Sequence, residues 1–303
     1  MTTFADPKSA NPARPSATTG SRPGGRKRGA GRTLHGSRPT YAFLILAVLV
    51  SSFPFYYTIV AASRSNADIA KTPPTLIPGP NLLKNFQLAL DQADIGKALF
   101  NSLIVSGSIT VGTVLCSTLA GFAFAKLPFK GRNGLLAFTV GTMMIPPQLG
   151  VIPLFMVIAK LEWANQLQAV ILPSLVSAFG VFFMRQYIAQ SLPDELIEAA
   201  RVDGASTARI FWKIVVPIAR PAMAVLGLLT FMTAWNDFFW PIIALSSQEP
   251  TVQVALRQLG GGYVQDQSVV MAGTLLGTLP VLVVFGLLGR QIVGGIMHGA
   301  VKG

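Results

Sequence analysis

Glu198-Ala199-Ala200-Arg201-Val202-Asp203-Gly204, followed after nine residues by Ile214-Val215-Val216-Pro217, lies in a polar loop between two apolar runs. Its residue types predict two short helices with a corner between them. Ser191 and Asp194 have the spacing of a capping box. Leu192 and Pro193 suit a first helical turn, and Asp194 and Glu195 suit the positive end of the helix dipole. Leu196, Ile197 and Ala200 form one apolar face. Gly204 is where such a helix stops, because glycine takes the left-handed C-terminal conformation cheaply. Ser206 or Thr207 then caps a second helix carrying Ile210, Phe211, Ile214, Val215 and Ile218, and Pro217 and Pro221 are expected to bend the chain back. The small pair Ala199-Ala200 lets another surface approach closely, as in a helix that docks into a partner's groove. The same pattern also fits an amphipathic helix resting on a membrane surface or on its own bundle.

Composition fixes the wider setting. Of 303 residues, 51% are apolar and only 12% are charged, against about 25% charged in an ordinary soluble domain. The chain therefore reads as an all-α membrane protein. Residues 1–40 are rich in Pro, Gly, Ser, Thr, Arg and Lys with one acid, Asp6, a composition that predicts a disordered basic tail. Residues 41–303 read as one membrane domain. Apolar runs at about 41–62, 99–125, 135–159, 169–183, 222–245 and 268–288 are each near the ~20 residues needed to cross the hydrocarbon core. With the N-terminus placed inside, the inside segments hold 18 of the 24 Lys and Arg. The positive-inside rule thus favours six spans with both ends cytoplasmic, and the loop at about 186–221 on the same side. The net charge of +12 is then mainly a topology signal and a contact for anionic lipid, with no nucleic acid expected as partner.

Chemistry is sparse. The phosphate-binding pattern Gly-x-x-x-x-Gly-Lys-Ser/Thr does not occur, so any ATP-driven step needs a second polypeptide. Cys116 is the only cysteine, and His35 and His298 are far apart; no metal, cofactor or catalytic residue is expected. Asp237, in Trp235-Asn236-Asp237, is the one carboxylate inside an expected span. A charge there costs on the order of 3 kcal/mol, so it should face a cavity or a partner. One reading is a translocation path, with Trp235, Phe238 and Trp240 near enough to stack on a sugar ring. The other is a structural contact to a backbone amide or to a partner subunit. Asn101 and Ser102 read as an interfacial cap at the head of the second span. Pro146-Pro147, Pro153, Pro173 and Pro280 interrupt helices, as in transporters whose broken helices line cavities.

The order Glu-Ala-Ala, three residues, Gly, nine residues, Ile-x-x-Pro resembles the coupling loop of bacterial ABC importer permeases, with Val216 where that family usually has Leu. The Thr75-Leu76-Ile77-Pro78 segment, the Gly121-Phe122-Ala123-Phe124-Ala125 run, Trp235-Asn236-Asp237 and the glycine-rich ending resemble the MalG-like, binding-protein-dependent carbohydrate branch over residues 41–303. The resemblance implies a type I permease fold of six transmembrane helices in a bacterial inner membrane, with a cytoplasmic coupling helix. It assigns Glu198, Ala199, Ala200, Asp203, Gly204, Ile214 and Pro217 to ATPase coupling. It also implies a tail with Met297, His298, Gly299 and Lys302 reaching toward the ATPase. The partners it implies are a second permease, two copies of an ATPase that binds ATP and Mg, and an extracellular lipid-anchored or periplasmic sugar-binding protein. The cargo it implies is a di- or oligosaccharide. Glycerol phosphate or polyamine permeases and an ion-coupled carrier are the alternatives.

Overall fold

The computed structural model describes the backbone of residues 37–261 and 265–300, with side chains to Leu287. The expected disordered tail therefore lies outside the described residues, apart from its last four. The chain divides into residues 1–50 and 51–303. In the first unit the described part is the opening of helix α1 (Arg38–Ala62), which begins three residues earlier than expected.

In the second unit α1 ends, and a short polar segment follows with α2 (Asn66–Ile69) and the amphipathic α3 (Leu82–Ala93). Asn85 is buried on α3 and donates to the carbonyls of Ala62 (2.8 Å) and Arg64 (2.9 Å). It thereby satisfies groups that the end of α1 leaves without helical partners. Asp94 ends α3 in a left-handed conformation and caps α4 (Ile95–Lys126), its Oδ1 accepting from the Lys97 N–H. Next come α5 (Arg132–Thr142), a 3₁₀ turn (Pro147–Gly150) and α6 (Val151–Lys160). They are followed by α7 (Gln168–Ile171), a second 3₁₀ turn (Leu172–Ser174) and α8 (Ala178–Ser191).

The middle spans are not straight. The axis turns by 92° between α5 and the Pro147–Lys160 stretch, and by 41° between Gln168–Ser174 and α8. The third span expected over 135–159 is broken where its sequence placed an interruption, at Pro146-Pro147. Pro146 and Pro147 supply no backbone N–H for the helical ladder, and the residue before each is pushed out of the α region. Among the described residues four helices are long and apolar enough to cross a membrane alone; counting each bent pair as one crossing gives six.

The rest of the chain comprises α9 (Asp194–Val202), α10 (Thr207–Ile210), a π-helical turn (Phe211–Val215) and α11 (Val216–Trp235). Helices α12 (Phe239–Ala244), α13 (Val252–Leu259) and α14 (Gln267–Ala300) complete it. Helix α4 is the centre of the packing, with α8 and α11 against it. A methyl at Gly121 would sit 2.8 Å from both the Arg185 nitrogen and the Met184 Cβ, and a methyl at Gly180 would strike the Ser117 hydroxyl. The two helices therefore cross at backbone contact. From that crossing a continuous apolar cluster runs through Phe122, Met184, Ile188 and Leu192 into Ile197 of α9 and Ile210 of α10.

Gly121→Val should overpack this crossing at a cost of about 1–3 kcal/mol. Thermal unfolding in detergent should show a lower Tm, whereas Gly107→Ala, which meets open space, should leave it unchanged.

Candidate functional site

The Glu198–Gly204 stretch forms a compact hook seated on the core. Helix α9 ends in a Schellman arrangement: the Ala205 N–H donates to Ala200 O (2.9 Å) and the Gly204 N–H to Arg201 O (3.0 Å). Gly204 has φ +76°, the left-handed value that the corner requires. Ser206 then caps α10, its Oγ accepting from the Arg209 N–H. Ile197 is buried and Ala200 packs against the same cluster. Glu198, Ala199, Arg201, Val202 and Asp203 are exposed, Val202 by 89%. One face of the hook is thus locked to the core and the other is bare.

Three local expectations differ from the structure. Ser191 does not cap α9; it is the last residue of α8, which stays helical because Met184 and Ile188 continue its buried stripe. Leu192 is then extended and buried, and Pro193 takes the cap position without a side-chain hydrogen bond. Asp194 reaches sideways instead, its Oδ1 accepting from Lys126 Nζ at 2.7 Å. Nor do Pro217 and Pro221 turn the chain. Thr207–Trp235 is one continuous helical run. The missing N–H of Pro217 is absorbed by the preceding π turn, in which the Val216 N–H donates to Phe211 O five residues back. Ile214 is half-buried against the cluster and Pro217 is exposed.

The second candidate lies at the far end of α11. Trp235 is 1% exposed, stacks on Phe231 and donates its indole N–H to Gly277 O at 3.1 Å. The indole of Trp240 is likewise buried and donates to Ala169 O. Neither ring is free to stack on a sugar, because each N–H has been drawn inward to a carbonyl on another helix. Asn236 bonds Met232 O and Gln253. Asp237 sits not inside a helix but in the break between α11 and α12, where Oδ1 accepts from the Phe239 and Trp240 N–H groups. It also lines a cavity of about 740 Å³ with Thr113, Ser174, Ser177, Phe179, Thr230 and Thr233. Of the trio, only Asp237 reaches this wall. The cavity hydroxyls come from three separate helical segments, a juxtaposition that no local motif announces.

Asn101 and Ser102 are not an interfacial cap. They lie within α4, buried, where Asn101 donates to Glu249 and to Pro250 O, and Ser102 Oγ accepts from the Val252 N–H at 2.8 Å. Lys97 joins Glu249 at 2.8 Å. The Lys97 ammonium, and after it the Asn101 amide, hold the Glu249 carboxyl below its usual range. Together they staple the segment before α13 to α4, at the end opposite the hook. Met297, His298 and Gly299 fall in the helical backbone of α14, but their side chains and Lys302 lie outside the described residues.

A broken-helix bundle with a polar cavity and a protruding hook at one end has the architecture of a transport permease. The chain belongs to the family described as binding-protein-dependent transport system inner membrane component, which matches residues 114–293. It is therefore a multi-pass inner-membrane permease. Similar proteins include the sn-glycerol-3-phosphate transport system permease protein UgpE of Yersinia enterocolitica, 35% identical over 85% of this chain and 94% of that protein. The arabinooligosaccharides transport system permease protein AraQ of Halalkalibacterium halodurans is 34% identical, over 87% and 95% respectively. The lactose transport system permease protein LacG of Rhizobium radiobacter is also 34% identical, over 86% and 95%. The fold is that of a chain in the crystal structure of a bacterial ABC transporter involved in the import of the acidic polysaccharide alginate. The TM-score is 0.71 at 23% identity, covering 85% of this chain and 99% of that one.

Ser102→Ala should leave the buried Val252 N–H without its partner, a loss of about 1–3 kcal/mol. Hydrogen exchange should show faster exchange at Val252 and its neighbours, with the hook unchanged.

Proposed function

We propose that this chain is one permease subunit of an ATP-driven importer that carries a di- or oligosaccharide, delivered by an extracellular binding protein, into the cytoplasm by alternating access. The observation that carries this reading is the hook: a short helix fixed to the core by Ile197 and offering Glu198, Ala199, Val202 and Asp203 to a partner. In this account a separate ATPase subunit, holding ATP and Mg, grips that face, and a second permease completes the pathway. The 18-to-6 split of Lys and Arg supports a cytoplasmic position for the hook and both termini. In the same scheme Met297, His298, Gly299 and Lys302 are the residues that meet the ATPase from the C-terminal tail.

The cavity favours a neutral, hydroxyl-bearing cargo. Thr113, Ser174, Ser177, Thr230 and Thr233 offer hydrogen-bonding groups, Phe179 an apolar face, and Asp237 an acceptor. The names of AraQ and LacG agree with this. The UgpE relatives supply a second reading, sn-glycerol 3-phosphate. A phosphate would call for Arg or Lys, yet among the described residues the cavity lining includes a carboxylate and no cation.

ATP turnover in lipid nanodiscs tests the reading. The chain, its companion permease, ATPase and binding protein are combined with a panel of disaccharides and with sn-glycerol 3-phosphate. Turnover should need the full assembly and rise with one sugar. A response to the phosphate ester alone would overturn the sugar class. In the same assembly, Gly204→Val should strain the corner by about 1–2 kcal/mol, so that ATP hydrolysis continues while uptake falls. Normal uptake in that variant would count against the hook as the docking element.

A further inference from the structure

Within α9 itself the apolar hold on the bundle is slight. Of the side chains of α9, only that of Ile197 is buried, with Ala200 partly covered beside it. One apolar peg near the middle of a nine-residue helix prevents it from lifting, and buried Leu192 and Ile210 hold the chain on either side, but no second apolar side chain of α9 is buried to fix its angle. The contact that stops a swivel lies at its N-terminal end, where Asp194 meets Lys126 at 2.7 Å across 68 residues of sequence. Among the described residues this is the one ion pair that ties the hook to the rest of the protein.

The two partners are unlike. The Lys126 side chain is 7% exposed and that of Asp194 73%. The lysine stem is thus packed in the bundle with its ammonium held at one spot, and the carboxylate comes to it. Lys126 occupies the last turn of α4 and Asp194 the first turn of α9. The negative end of one helix dipole and the positive end of the other therefore favour these charges where they stand. Asp194 is too exposed for the pair to add much to folding stability; what it fixes is an angle.

Helix α4 leads from that pair to the cavity. Thr113 and Ile109 of α4 line the cavity, and Thr113 is thirteen residues before Lys126, roughly 20 Å along a helix. We propose that the Lys126–Asp194 pair is the positioning contact that locks α9 to α4, so that a displacement of the hook reaches the cavity wall instead of being lost as rotation about Ile197. This rests on the reading that an ATPase moves the hook. Lys126 and Asp194 touch neither cargo nor nucleotide in that scheme; they act through α4.

The test needs no knowledge of the cargo. In a Cys116→Ala background, Thr233→Cys places a thiol at an exposed position on the cavity wall. Its rate of reaction with a small methanethiosulfonate reagent is followed in the full nanodisc assembly, with and without MgATP and vanadate. In the parent the rate should change by about tenfold, within the range of ordinary allosteric couplings. Lys126→Met keeps the buried stem and Asp194→Asn changes one exposed group. Each should assemble normally and reduce the change to about twofold, while Lys126→Arg and the reversed pair K126E/D194K should restore it. If Lys126→Met does not accumulate, Asp194→Asn carries the test alone. An Asp194→Asn assembly that responds as fully as the parent overturns the role of the pair and leaves the ATP-driven reading intact. A parent whose labelling ignores ATP removes that reading, and the role of the pair with it.

Discussion

Two α-carbons without side chains, Gly121 and Gly180, set how closely α4 and α8 approach, and much else follows from that distance. In a bilayer, helices gain little from apolar burial alone, so association depends on close packing and on satisfied polar groups. With α4 and α8 in backbone contact, Met184 and Ile188 meet Phe122, and the cluster continues into Leu192 and Ile197. Only two residues separate α8 from α9, so the α4–α8 crossing also decides where the hook stands. A wider crossing would displace the hook and remove the floor beneath it.

The same economy governs the polar groups. At one end of α4, Lys97, Asn101 and Ser102 hold the segment before α13; at the other, Lys126 holds α9. Helix α4 thus carries a polar fastening near each end and contributes to the cavity wall between them. The prolines divide the labour differently. Pro146 and Pro147 coincide with a 92° break, while Pro217 is accommodated by a π turn that keeps Thr207–Trp235 continuous. A proline therefore does not by itself announce a bend.

This explains what could be read from the sequence. The helix stop at Gly204, the buried Ile197 and the cap at Ser206 are local and were legible, as was the all-helical membrane class. The Asp94 and Pro193 caps were not, since neither follows the usual Ser-x-x-Glu chemistry. In the sequence Asn101 and Ser102 read as a cap because their partners, Glu249 and Val252, lie about 150 residues away. Lys126 reads in the sequence as one more topology charge, and only the fold sets Asp194 beside it. Trp235 belonged to a recognisable cluster, but its indole turned to a carbonyl on α14 that no periodicity could locate.

The central claim is that the bare face of α9 meets an ATPase and not lipid or its own bundle. The direct measurement places a photoreactive amino acid at Val202, 89% exposed, and irradiates cells that carry the whole transport system. The account predicts one dominant adduct, with the mass of this chain plus the ATPase subunit. Adducts with lipid alone, or within this chain alone, would contradict it and make the hook a surface-lying helix.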